Sequence, residues 1–245
     1  MVDLFESLLK EIIAPEFAKR GFKKKKRVFY KVTNDVLQGC HYQRARFGHD
    51  CEFEFGTVPF CVGLESANGF ISYSLGWFPR RFNAPYKNHY FDYTEESIRS
   101  YLAERLEMLE MVAFPYFDST VDSWSCYIED QRMRARLDIY QKEYTDYRAL
   151  FTLLKAGDYD EAMKYLATRR QDNIDKYNKV AQEYSDDPEY VQIIQKRLKP
   201  YQMKYDMLIA WINAHDYECV QNFIAENEHK SLIALGLQPL GGDLQ

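Results

Sequence analysis

The chain has 245 residues, of which 46% are hydrophobic and 28% are charged, and its formal net charge is −5. This composition is typical of a folded globular protein, and the acidic balance argues against a dedicated nucleic-acid binder, whose affinity depends on neutralising phosphates. No apolar run approaches the roughly 20 residues that a membrane-spanning helix needs, so the sequence predicts a soluble protein that does not bind a membrane.

Charge is distributed unevenly along the chain. Residues 1–46 have a balance of +6, which leaves −11 for residues 47–245. Opposite potentials steer association, so such an acidic body suits a basic partner. The sequence therefore favours another protein as the partner, and a basic one in particular.

The cysteines favour a reducing compartment. No two of them form a Cys-x-x-Cys pair, and the first 13 residues carry acids where a signal peptide carries bases. We therefore expect a cytoplasmic protein without a disulfide framework. The cysteines are Cys40, Cys51, Cys61, Cys126 and Cys219.

The apolar spacing at the start of the chain predicts a helix over residues 3–19. Gly21 is a natural stop for it. Pro15 is expected to end or kink this helix, because proline lacks the amide donor and clashes with the preceding turn.

From Val28 to about Phe78 the apolar period changes to two, which predicts four strands. Short connections at residues 33–35 and 46–50 imply an antiparallel meander. Gly56 and Pro59 indicate a bulge or an edge position in the third strand. The strands are VFYKV, VLQGCHYQ, CEFEFGTVPFCVGL and GFISYSLGWF.

A second helix is predicted to begin at Thr94, whose hydroxyl can cap it, and to stop before Pro115. The side chains expected to face inward are Ile98, Leu102, Leu106 and Leu109.

Two apolar stripes with alternating steps of three and four predict long helices in the second half of the chain. Pro200 is expected to kink or divide the second helix. The first stripe is Met133, Leu137, Tyr140, Tyr144, Tyr147, Phe151 and Leu154. The second is Tyr190, Ile194, Leu198, Tyr201, Tyr205, Leu208 and Ile212.

A similar amino-acid sequence follows each of the two stripes. Ala156, Asp158 and Tyr159 align with Ala214, Asp216 and Tyr217 at an offset of 58 residues. A helix, a tight turn, an Asp N-cap and a second helix account for both segments, and Asp158 with Glu161 predicts a capping box. The segment GDYDEAMKYL resembles the turn and second helix of tetratricopeptide repeats, although the offset is longer.

The sequence thus predicts an α+β fold: an antiparallel sheet of about four strands covered by helices, followed by an all-α helical-hairpin domain. The predicted boundaries are residues 1–130 for the α+β domain, 131–236 for the helical domain and 237–245 for a flexible tail.

Several motifs of the first half resemble the bacterial family called domain of unknown function 4304. They are Gly21-Phe22 at the end of the helix, Phe29-Tyr30 in a strand, and residues 42–46, YQRAR. Residues 114–124 are similar to the family's closing segment, so the likeness covers about residues 5–125. The chain departs from the pattern at Gly39-Cys40, where an aliphatic residue is usual. The family has no established activity, so the resemblance implies a domain boundary rather than a function.

The strongest local signal is the basic run Lys23 to Arg27. It is compatible with a nucleic-acid or nuclear-import cluster, with a patch for an acidic partner, or with a solvated strand start, which is the commonest case. Gln43 and Arg46 suit a carboxylate or phosphate, or they connect the sheet to Glu11 or Glu16 of the first helix. The candidate binding patch is Lys25, Arg27, Gln43, Arg44 and Arg46, with Lys25 and Arg27 expected on one strand face.

Catalytic and metal chemistry is disfavoured. Cys40-His41 and His49-Asp50-Cys51 contain zinc-type ligands, but neighbouring residues of a strand point to opposite faces. Glu52 and Glu54 share a face, which more often means a polar surface than an acid and base pair. We therefore expect no catalytic residue, no cofactor and no metal.

The function favoured by the sequence is that of a bacterial, non-enzymatic interaction protein whose partner binds the helical half. An immunity-type role against a basic toxin is one form of this hypothesis. The alternatives are a nucleic-acid-binding accessory protein using the basic patch, and an enzyme with a site on the sheet face.

Overall fold

A computed structural model of the chain describes residues 3–44, 50–63, 80–81, 90–136 and 139–236. The strands are β1 (Lys23–Lys25), β2 (Val28–Thr33), β3 (Val36–Arg44), β4 (Cys51–Pro59) and β5 (Arg80–Arg81). The helices are α1 (Leu4–Ile12), α2 (Ala14–Lys19), α3 (Glu95–Met108), α4 (Phe114–Ser119), α5 (Ser123–Met133), α6 (Ile139–Ala156), α7 (Tyr159–Glu183), α8 (Pro188–Asn213) and α9 (Tyr217–Ala234).

The helix predicted at the start of the chain is interrupted next to Pro15, as expected. Asp3 caps α1 by accepting the Phe5 amide proton at 3.0 Å, and Pro15 lies in the first turn of α2, where its missing donor costs nothing. Gly21 follows with a φ of 81°, a left-handed value that glycine adopts without strain. The predicted helix 3–19 is therefore confirmed as two short helices.

The predicted antiparallel sheet is confirmed. Strands β1 to β4 pair in chain order, and β5 pairs with Glu54 and Phe55 of β4. The β3 and β4 pairing is unbroken and sets Gly39 opposite Gly56, so of the two alternatives predicted for Gly56 and Pro59 the bulge is wrong, while an edge position stays a prediction. Pro59 ends β4. The fourth predicted strand, at residues 69–78, lies outside the described residues, as does the tail 237–245.

Aromatic rings fill one face of the sheet. The Phe17 ring of α2 stacks on Phe29 of β2 with centroids 4.2 Å apart, and Phe22 contacts Phe117 of α4. The other face is covered in part by the end of α9, because Leu235 packs with Val28 and Leu37. The buried aromatic side chains of the first face are Phe5, Phe17, Phe22, Phe29, Tyr42, Phe53, Phe55, Phe91, Tyr101, Phe114, Tyr116 and Phe117.

The helix that begins at Thr94 does not stop before Pro115. Thr94 caps α3 as predicted, accepting the Ser97 amide proton at 3.3 Å. After Met108 the chain makes one π-helical turn, Leu109–Ala113, and continues as α4 with Pro115 in its first turn. Proline is tolerated there because no amide hydrogen bond is required at this position after the wide turn. The predicted end of this helix is therefore wrong.

The two long stripes behave differently. The first stripe spans two helices, α5 and α6, and a 3₁₀ turn at Arg134–Arg136 lies between them. The prediction of one long helix for this stripe is therefore wrong. Leu137 and the side chains of Tyr140 and Tyr144 lie outside the described residues. The second stripe belongs to one helix, α8, which includes Pro200 without being divided.

The two predicted helical hairpins are confirmed, with matching turns. Gly157 between α6 and α7 and His215 between α8 and α9 both adopt positive φ, 77° and 56°. Asp158 and Asp216 then cap α7 and α9. The capping box with Glu161 is only half formed, because the Glu161 carboxylate pairs with Lys164. Tyr159 and Tyr217, which follow the caps, stack with centroids 4.2 Å apart.

Buried polar contacts join the helical half to the sheet. Arg148 of α6 pairs with Asp130 of α5 at 2.7 Å and donates to the Thr57 carbonyl at 3.2 Å. Lys155 of α6 contacts Asp35 in the β2–β3 turn at 2.6 Å and also pairs with Glu228 of α9. The domain boundary at residue 130 stays a prediction, with these contacts lying across it.

No helix among the described residues has both the length and the apolar character needed to cross a membrane.

We expect the substitution Arg148→Met to lower the free energy of unfolding by about 3 kcal/mol or more. Both partners are about 3% exposed, and removing one ion of a buried pair leaves the other desolvated. The double substitution Arg148→Met and Asp130→Leu should recover part of that loss. Urea unfolding measures both, and a single variant as stable as the wild type contradicts the assignment.

We expect the Asp35→Asn variant to be less stable at pH 7 by about 1–2 kcal/mol. Burial favours the neutral acid, but hydrogen bonds from Lys155 and Ser123 outweigh it and hold the pKa of Asp35 below its ordinary value. The advantage of the wild type is thus fully present above the unfolded pKa, near 3.9, and is lost as pH falls through the folded pKa.

Urea unfolding at pH 7, 5 and 3 measures this difference. Glu226→Gln, which breaks the exposed pair with Lys230, is the matched control and should leave stability unchanged at pH 7. A wild-type advantage that stays constant across this pH range contradicts the role given to Asp35.

Candidate functional site

The basic run forms a β-hairpin at the edge of the sheet. Lys23–Lys25 is strand β1, Lys26 and Arg27 form the turn, and β2 follows. Lys26 adopts a φ of 52°, which closes this tight turn. Arg27 therefore does not share a strand face with Lys25, and that prediction is wrong.

Lys24 faces the helical side of the sheet. Its ammonium lies 3.6 Å from the Glu6 carboxylate of α1 and 5.2 Å from the centre of the Tyr42 ring, and the Tyr42 hydroxyl donates to Glu6 at 2.8 Å. The remaining cations of the run are exposed, and together we call them the basic hairpin: Lys23, Lys25, Lys26 and Arg27.

The predicted patch is assembled only in part. The Tyr42 amide donates to the Arg27 carbonyl at 3.1 Å, which places the basic turn beside the end of β3, near Gln43. Gln43 is exposed and lies on the face opposite to Arg44. Arg46 lies outside the described residues. Whether these residues bind a ligand stays a prediction.

Arg44 stabilises the fold. Its guanidinium pairs with Asp3, the cap of α1, and lies 5.1 Å from the Phe5 ring and 5.7 Å from the Tyr93 ring. The side chain is 15% exposed. The sequence suggested that Gln43 and Arg46 connect the sheet to Glu11 or Glu16. The contact present is instead that of Arg44 with Asp3, while Glu11 pairs with Arg99 and Glu16 with Lys19 and Arg20.

The cysteine and histidine residues considered for zinc are separated by the sheet. Cys40 and Cys51 point into the aromatic core, where burial raises the pKa of Cys51 to about 12 and that of Cys40 well above its ordinary value. His41 lies on the other face opposite Glu54, and burial lowers its pKa. His49 lies outside the described residues. In the described part of the chain, no three His, Cys, Asp or Glu residues are arranged to hold a metal ion.

A polar groove of about 200 Å³ lies between α6 and α7. Its charges compensate one another, because Arg134 and Arg169 both contact Asp146, and Lys164 contacts Glu161. This internal pairing makes the groove a weak candidate for an ionic ligand.

The feature that sequence reasoning missed is a projecting pair of helices. Residues 170–204, which we call the arm, comprise the distal parts of α7 and α8 with the turn between them, and none of these residues is buried. With a rise of 1.5 Å per residue, the arm extends about 20 Å beyond the last buried side chains. The two helices of the arm, α7 and α8, contact each other, and Lys204 at the base of the arm lies 3.5 Å from the Tyr147 hydroxyl of α6.

Exposed apolar side chains run along α8 on the arm. Tyr190, Ile193 and Tyr201 are 38%, 43% and 49% exposed, and at 100° per residue they lie within an arc of about 80°. We call these three residues the α8 stripe. Of the second apolar stripe predicted from the sequence, only the later part, Tyr205, Leu208 and Ile212, is buried.

Charge along the arm changes sign. The end of α7, the turn after it and the start of α8 are acidic. Asp187 in this turn caps α8 by accepting the Tyr190 amide proton at 3.0 Å. Tyr184 packs on Tyr190 at this end, with centroids 4.6 Å apart. The acidic residues are Glu183, Asp186, Asp187 and Glu189, and the cations that follow two turns later are Lys196, Arg197 and Lys199.

Comparisons with protein-family models, with curated proteins and with solved structures found no match to this chain. The resemblance to the domain of unknown function 4304 family stays a prediction.

We expect Arg44→Ala to lower the free energy of unfolding by about 1 kcal/mol, since it removes the Asp3 contact and the packing of the guanidinium on aromatic rings. It should leave retention on heparin unchanged. The matched variant Lys26→Glu with Arg27→Glu should instead lower any retention and leave stability unchanged. Thermal unfolding and the salt concentration of elution measure the two effects. Loss of retention in Arg44→Ala contradicts the structural role of Arg44.

Proposed function

We propose that this chain is a non-enzymatic interaction protein and that the arm is its partner-binding element. The observation that carries the proposal is the α8 stripe, a row of large apolar side chains on a helix pair that contributes nothing to the core. Large exposed apolar side chains bordered by charged ones are typical of protein interaction sites.

The composition of the stripe supports a protein partner. Tyrosine is enriched at interfaces because its ring supplies contact area at a small cost in side-chain entropy, while its hydroxyl stays hydrated. Anchors spaced three and eight residues apart on one helix fit against another helix, since both surfaces then repeat with the same period. The arm therefore suits a helical partner surface better than an extended peptide.

The proposed partner surface lies in the helical half, which is also where the sequence analysis expected a partner to bind. The acidic end of the arm suits a basic protein, and an immunity-type role against a basic toxin is one concrete form of the proposal. We place this role in a bacterial cytoplasm; the five free cysteines support a reducing compartment.

We expect a photoreactive benzoylphenylalanine at position 193 to form a crosslinked adduct in living cells, because Ile193 lies in the middle of the stripe. Mass spectrometry then identifies the partner. The matched control places the same side chain at Ile128 of α5, which is 53% exposed on the body of the protein. The absence of an adduct at position 193, or an equal yield at both positions, overturns the proposal.

A further inference from the structure

We infer that the occupant of the arm is a second copy of this chain, bound through antiparallel pairing of residues 188–198 of the two α8 helices about a twofold axis near Ile193. This inference rests on the proposed function, because it names the partner of the same surface.

A twofold interface requires a surface that is complementary to itself. The outward face of α8 has this property. An acidic end, Asp186 and Glu189, lies on one side of Ile193, and a basic end, Lys196 and Arg197, lies on the other. When the helix is turned end over end about Ile193, acid faces base at both ends of the contact.

The spacing along the helix fits this arrangement. Residue 193 is the midpoint between Glu189 and Arg197, and these two residues are about 12 Å apart along the axis. Glu189, Ile193 and Arg197 also lie on the same side of the helix, within an arc of about 80°. Each Glu189 therefore comes opposite the Arg197 of the second copy, while the two Ile193 side chains meet at the axis.

The apolar residues contribute at both ends of the same contact. Tyr190 is one residue from Glu189 and so comes near Arg197 of the second copy, where a guanidinium can stack on the ring. The arm is also long enough. A partner whose α8 begins at residue 188 reaches about residue 198, which leaves several residues of clearance before the buried base at Tyr205.

The charges at the two ends are available for this pairing. Within the described part of the chain, Asp186, Glu189, Lys196 and Arg197 form no salt bridge. The basic protein named above as one form of the proposal would satisfy the acidic end but be repelled by Lys196 and by Arg197, which lies between Ile193 and Tyr201 on the helix surface. A second copy satisfies both ends, so the charge order favours it.

The test measures molecular mass by sedimentation equilibrium of the full chain. We expect the wild type to dimerise at concentrations up to about 100 µM. The variant Asp186→Lys with Glu189→Lys and the variant Lys196→Glu with Arg197→Glu should each raise the dissociation constant by at least about tenfold. An equimolar mixture of these two variants should restore the dimer, because both ends are again complementary.

Ile193→Glu should abolish the dimer, and Ile128→Glu, at a similarly exposed position on the body, should not. Circular dichroism verifies that each variant keeps its helix content. A monomeric wild type, charge variants that dimerise as the wild type does, or a mixture that stays monomeric each overturns the inference.

The outcome also separates this inference from the proposed function. A monomer in solution together with a crosslink from position 193 to a different protein overturns the inference and leaves the proposed function standing. A monomer without any crosslink at position 193 overturns both.

Discussion

Three backbone carbonyls at the end of β4 determine how the chain is assembled. The carbonyls of Thr57, Phe60 and Cys61 are buried, and each accepts a hydrogen bond from a side chain of the helical half. The donors are Arg148 on α6, and Ser231 and Asn227 on α9. A buried carbonyl that loses a donor is costly, so these bonds hold α6 and α9 against the end of β4.

The high aromatic content of the chain is explained by the face of the sheet that packs against helices α1 to α4. Large rings from the strands and from the helices fill the space between the two layers. The hydroxyl groups of two tyrosines in this core form hydrogen bonds. Tyr42 donates to the Glu6 carboxylate, and Tyr101 accepts from the Cys51 amide. The same residue type serves the opposite purpose on the arm, where Tyr190 and Tyr201 are exposed.

What could be predicted from the sequence is what depends on neighbouring residues. Pro15, Thr94 and Asp158 act on their own turn of helix, and each does what its chemistry indicates. The fold class followed from such signals together with the change of apolar period after Val28. Exposure, by contrast, depends on residues far along the chain. Tyr201 and Tyr205 both belong to the second apolar stripe predicted from the sequence, yet only Tyr205 is buried against the body of the protein. For the same reason the pairing of Arg44 with Asp3, forty-one residues earlier, could not be predicted from the sequence.

The π-helical turn at Leu109–Ala113 has a consequence for how this protein can vary. Leu109, Ala113 and Phe117 are all buried, a spacing of four that a regular helix would rotate steadily away from the sheet. The wider turn absorbs the extra residue and keeps α3 and α4 in phase with the core. Chain length between Met108 and Phe114 can therefore differ by one residue without a change in the core. A homologue that lost one residue here would close the wide turn into a regular helical turn and keep Phe114 and Phe117 in phase with the sheet.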